Sequence, residues 1–95
     1  MTLDQAIAKA ARLLDLRKDR LAAQDVLRDA LAERTELIPD RVRAEIFLGE
    51  LLLVSHPAEA RQHLEHALSL ALPEDWDDLL NDDILRARRL LASTD

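Results

Sequence analysis

Two ten-residue stretches, AAQDVLRDAL at residues 22–31 and EARQHLEHAL at residues 59–68, superpose under a shift of 37 residues. The shift carries Ala23 onto Ala60, Leu27 onto Leu64, Ala30 onto Ala67 and Leu31 onto Leu68. Steps of i, i+4, i+7 and i+8 put all four on one side of an α-helix. A helix with small and large apolar residues interleaved on one side is built to lie close against another helix. A helical unit used twice in 95 residues points to stacked hairpins, because one hairpin cannot bury its apolar face alone.

Composition agrees with helices throughout. Of 46 apolar residues, 21 are Leu and 15 are Ala, while Ile and Val together number seven and only Phe47 and Trp76 are aromatic. Leu and Ala lose little on entering a helix, whereas β-branched and aromatic side chains favour strands. One Gly and three Pro are too few for the turns of a sheet protein. The expected fold class is all-α, in one domain.

The chain has no Cys, which excludes disulfides, thiolate metal sites and a cysteine nucleophile. The beginning, MTLDQAIAKAARLL, lacks a charged-then-apolar targeting pattern, since Asp4 and Lys9 interrupt it. The longest apolar run, at residues 51–54, falls far short of the roughly 20 residues a membrane span needs. The default expectation is a cytoplasmic protein with no membrane partner. The net charge of −6 is unevenly placed, with nine cations and eight acids in residues 1–43 but four and eleven in residues 44–95. That balance argues against nucleic-acid binding, which needs clustered cations.

Five helices follow from the start and stop signals. Thr2 and Gln5 form a capping box, and Leu3, Ile7, Ala10 and Leu14 continue as a stripe. Asp19 is an N-cap for a second helix running to about residue 37, where Pro39 stops it. Asp40 caps a third helix over 41–54, and Pro57 opens a fourth that ends near 72. A fifth segment covers 75–92, with a break near Asn81 left open.

The spacing resembles the tetratricopeptide repeat, a helix–turn–helix unit of about 34 residues. Its signature falls on Ile7, Ala10, Ala11, Leu14, Ala23, Leu27 and Ala30, then on Leu48, Gly49, Leu52, Ala60, Leu64 and Ala67, with Pro73 near the closing proline. Trp76 and Leu79 suit a third start. Glu45 stands where the family has an aromatic residue and Thr35 where it has proline. The resemblance implies a right-handed stack of hairpins over 2–38 and 40–73, closed by a helix over 74–92. Small residues at Ala11, Gly49, Ala23 and Ala60 would let helices approach, with leucines filling the flanks.

It also implies a function. In that family the first helix of each hairpin lines a concave groove holding a peptide or partner helix. The matching positions are Gln5, Ala8 and Arg12, then Arg43, Ile46, Glu50 and Leu53, completed by Asp77 and Asn81. Ile46 and Leu53, with Val54 alongside, give this groove an apolar centre. The third helix, IFLGELLLV, is apolar nearly all round, so it is either surrounded or itself an interface.

Other clusters have simpler readings. The segment EDWDDLLNDD at residues 74–83 holds six carboxylates but lacks the alternation and central Gly of a calcium loop; its acids suit a helix N-terminus. Trp76 reads as core. His56, His63 and His66 read as surface residues, although Glu59, His63 and His66 share a helix face. Arg86, Arg88 and Arg89 suit a helix C-terminus or pairing with Asp82 and Asp83. A small all-α enzyme would need arginines such as Arg12, Arg28, Arg43 and Arg61 to converge on an anionic substrate. No glycine-rich phosphate loop is present. The expectation is a non-catalytic interaction module, with no cofactor or metal, binding a protein or peptide. A small dedicated chaperone or assembly adaptor, and a scaffold pairing with a second copy of itself, are the alternatives.

Overall fold

The computed structural model describes residues 2–33, 38–71 and 77–93. They form five helices, α1 (Leu3–Arg17), α2 (Arg20–Ala32), α3 (Ile38–Leu52), α4 (Pro57–Ala71) and α5 (Asp77–Ser93), and no strand among the described residues. None of these helices is long and apolar enough to cross a membrane.

Local chemistry accounts for the boundaries. The Gln5 amide donates to Thr2 Oγ1 at 3.2 Å and the Thr2 amide donates to Gln5 Oε1 at 3.1 Å, satisfying two donors that the first turn would leave orphaned. Lys18 turns the chain out of α1 in the left-handed region, φ 54° and ψ 29°. Asp19 then caps α2, its carboxylate accepting from the Ala22 amide at 3.0 Å. Pro57 is the first residue of α4, where its missing N–H costs nothing.

Three boundaries differ from those the sequence suggests. α2 ends at Ala32, with Glu33 extended, about a turn earlier than the spacing predicts. α3 starts at Ile38, so Pro39 and Asp40 lie in its first turn and neither ends α2 nor caps α3 from outside. A first-turn proline sacrifices no helical hydrogen bond, so it starts a helix as readily as it follows one. α3 also stops at Leu52, leaving Leu53 and Val54 in the turn. α5 is continuous through Asn81. Thr35, Pro73 and Trp76 lie outside the described residues.

The helices form two layers. α1, α3 and α5 pack side by side in that order; α2 lies against α1 and α3, and α4 against α3 and α5. α3 therefore touches all four others. This explains a helix with so little polar face: Val42, Ala44, Ile46, Leu48, Gly49, Leu51 and Leu52 are all buried. The shared small residues serve the seams. Ala23 and Ala60 are fully buried, and a Cβ on Gly49 would lie 3.2 Å from the Ala60 carbonyl. One core joins α1, α2 and most of α3; a second gathers Val42, Ile46, Leu64, Ala67 and Ala87 between α3, α4 and α5.

Candidate partner-binding face

The candidate face is carried by α1, α3 and α5. On α1, Gln5, Ala8 and Arg12 follow one another at i, i+3 and i+7, and all three are exposed. Gln5 spends its side-chain oxygen on the capping box. Ala8 and Arg12 are open.

The α3–α5 half is closed. Arg43 Nε donates to Asp83 Oδ2 at 3.4 Å, and Arg86 pairs with Glu50. The two ion pairs follow the same order along both helices, so α3 and α5 run in the same direction. Ile46 sits one turn beyond Arg43 and one turn before Glu50. It is only 3% exposed, packed with Val42, Leu64, Ala67 and Ala87. Ile46 is thus core and not the floor of an open groove: α5 lies over it, with Ala87 fully buried, and the ion pairs bracket it. Leu53 is half-buried against the first core. Val54, beside it, is 84% exposed. Asn81 is exposed on α5. Asp77 opens that helix, and its side chain lies outside the described residues.

Helical spacing along the chain did not reveal the cross-helix pairs. Arg86 reaches Glu50 on α3, not Asp82 or Asp83 on its own helix. Glu45 is buried on α3 and accepts a 2.6 Å hydrogen bond involving His66 Nδ1 of α4. Arg28 of α2 grips Glu59 of α4 through Nε and Nη2 at 3.0–3.1 Å, linking two helices that do not otherwise pack together among the described residues. Such pairs join residues 21 to 40 positions apart, and no periodic pattern announces them.

Electrostatics follow the same pairs. Burial pushes the Glu59 carboxyl up, but Arg28, by hydrogen bond and charge, and then His63 outweigh it and hold it below its ordinary range. His63 Nε2 lies 3.5 Å from Glu59. No three His, Cys, Asp or Glu side chains among the described residues come together as a metal site. Nor do the four arginines of a would-be anion pocket converge. Arg12 is on α1, Arg28 faces Glu59, Arg43 faces Asp83 and Arg61 faces Glu65.

Three open hollows lie among the described residues. One of about 310 Å³ is lined by Lys9, Arg12, Leu13, Leu16 and Arg17 of α1. Another of about 210 Å³ lies between α1 and α2, at Lys9, Val26, Asp29, Ala30 and Glu33. The third, about 350 Å³, is lined by the largely charged set Asp82, Leu85, Arg86 and Arg89 of α5. Comparison with protein-family models, characterised proteins and solved structures gives no match.

Proposed function

We propose that the chain is a non-catalytic protein–protein interaction module of tetratricopeptide-like build, a right-handed stack of two hairpins and a terminal helix. It holds a peptide or amphipathic helix of a partner protein on the face carried by α1 and α3.

One pair of side chains carries this reading. A shift of 38 residues lays Ala11 on Gly49 and Leu14 on Leu52, and the same shift lays Leu16 on Val54. Leu16 and Val54 are 79% and 84% exposed, the most open of the large apolar residues described. Equivalent positions, one in the last turn of α1 and one in the turn just past α3, thus both offer apolar surface to solvent. A partner segment that covered both would remove this apolar surface from water, at roughly 25 cal/mol per Å². The layer order supports the reading, since the first helices of the two units lie side by side.

The test is affinity capture of a partner, followed by L16D and V54D. Both side chains are exposed, so each variant should stay within about 0.5 kcal/mol of the parent in stability and lose the captured partner. Retention of the partner by both variants would reject the reading. Light scattering on the purified chain distinguishes a second copy as the occupant. Leu53 is a poor probe despite its place beside Val54: it packs on the core, and L53D would unfold as well as unbind.

A further inference from the structure

The cations around the α1 hollow have no carboxylate partner among the described residues, as is also true of Lys18, Arg20, Arg88 and Arg89, whereas those at the helix seams are paired. Arg28, Arg43, Arg61 and Arg86 each face a carboxylate. Lys9, Arg12 and Arg17 make no ion pair among the described residues. The acids nearest in sequence, Asp15 and Asp19, are exposed and make no ion pair with them; Asp19 accepts from the Ala22 amide.

Between these cations lie Leu13, half-buried, and Leu16, largely exposed. Positions 9, 12, 13, 16 and 17 form one stripe along α1 at i, i+3, i+4, i+7 and i+8. The hollow of about 310 Å³ is at the small end of ligand cavities, with room for a side chain or two and not for an extended cofactor. Its complement is an apolar side chain flanked by carboxylates.

We infer that this stripe is the anchor for an acidic amphipathic segment of a partner protein, which seats an apolar side chain on Leu13 and Leu16 and sets its carboxylates against Lys9, Arg12 and Arg17. The inference rests on the binding-module reading and gives it a partner class and a location. Nucleic acid would engage the cations but leave the leucines unused. An anionic bilayer would draw on the same cations and on the protruding Leu16, and the vesicle arm of the experiment separates it from a protein segment.

The experiment uses the full chain and two fluorescent synthetic helices of about 18 residues, long enough to hold helical structure. Both carry leucines at i, i+3, i+4 and i+7; one has glutamates elsewhere and the other lysines. The glutamate peptide should bind saturably, weaken with added salt, and lose roughly tenfold or more in affinity to R12E/R17E. R88E/R89E places the same charge change on α5 and should cost less than about twofold if attraction at the site, and not net charge, decides. Circular dichroism checks that each variant is folded.

Equal binding of both peptides, or no loss with R12E/R17E, overturns the anchor. Loss with V54D but not with R12E/R17E also overturns it, while leaving the binding-module reading in place. Binding to phosphatidylserine vesicles that R12E/R17E abolishes, with no binding of the glutamate peptide, assigns the stripe to a membrane and overturns the proposal. If a captured partner survives L16D and V54D, it is the broader reading that fails.

Discussion

A Cβ built on Gly49 would lie 2.8 Å from Cγ of Leu64. Leu64 is itself fully buried, so it cannot swing away without disturbing its neighbours. The chain's only glycine therefore serves a close approach of α4 to α3, since it adopts no unusual backbone angle.

G49A measures that contact. Alanine should gain up to about 1 kcal/mol of helix propensity, while overpacking should cost about 1–3 kcal/mol. We expect net destabilisation of about 1 kcal/mol, read by urea unfolding. In a double-mutant cycle, G49A should cost less in an L64A background, where the methyl has space. Additive effects would mean the two residues do not share the seam.

The seams were legible because packing reuses a spacing. Ala23, Leu27, Ala60 and Leu64 sit at matched offsets, and all four are fully buried. The end of α2 and start of α3 were not legible, because Pro39 is compatible with either side of a helix boundary. Helical spacing also groups Ile46 with Arg43 and Glu50 without saying what covers that face. α5 covers it, through Asp83 and Arg86, which reach α3 from 40 and 36 positions along the chain. Leu16 and Val54 could have been found by extending the offset that links Ala11 to Gly49 by five residues.

Glu45 and His66 give an asymmetric pair of predictions. The carboxylate is 5% exposed and the imidazole 49%. Removing His66 strands a buried charge-bearing group, although water can reach part of the vacated space; H66A should cost about 1–3 kcal/mol. Replacing Glu45 by leucine removes the need for a partner, and buried polar pairs exchanged for apolar packing are often neutral or stabilising. E45L should therefore be at least as stable as the parent, and E45L/H66A should recover most of the loss seen in H66A. Thermal unfolding of the three variants decides it. A double variant as weak as H66A would place the loss in the packing of the imidazole instead.

Lys18 is the one non-glycine residue with positive φ among those described. Its left-handed conformation, φ 54°, costs an L-residue roughly 1–2 kcal/mol, which glycine does not incur. Glycine adds unfolded-state entropy that offsets part of the gain. Lys18 is exposed, so little packing is lost. K18G should raise stability by about 0.5–1 kcal/mol, or a few degrees in Tm for a domain of this size. A fall in Tm would show that the lysine side chain contributes more than its backbone strain removes.

Glu59 ties stability to pH. Its carboxyl is held below the ordinary value of 4.5 in the folded chain, with burial opposing the shift and Arg28 and His63 prevailing. In mildly acid solution the unfolded chain thus binds more protons at this site than the folded chain does, and stability rises with pH there. The contribution is complete above the unfolded value and is lost as pH falls through the lower folded value. The pair is about one-third exposed on each side, so solvent screens it, and an R28A/E59A cycle at neutral pH should give about 0.5–1 kcal/mol of coupling. Comparing the parent with E59Q across pH isolates the effect. The stability gap should be present at neutral pH and should close as pH falls below the ordinary carboxylate value. A gap that stays constant into strong acid would mean the carboxylate's charge, and hence its grip on Arg28, contributes nothing to holding α2 against α4.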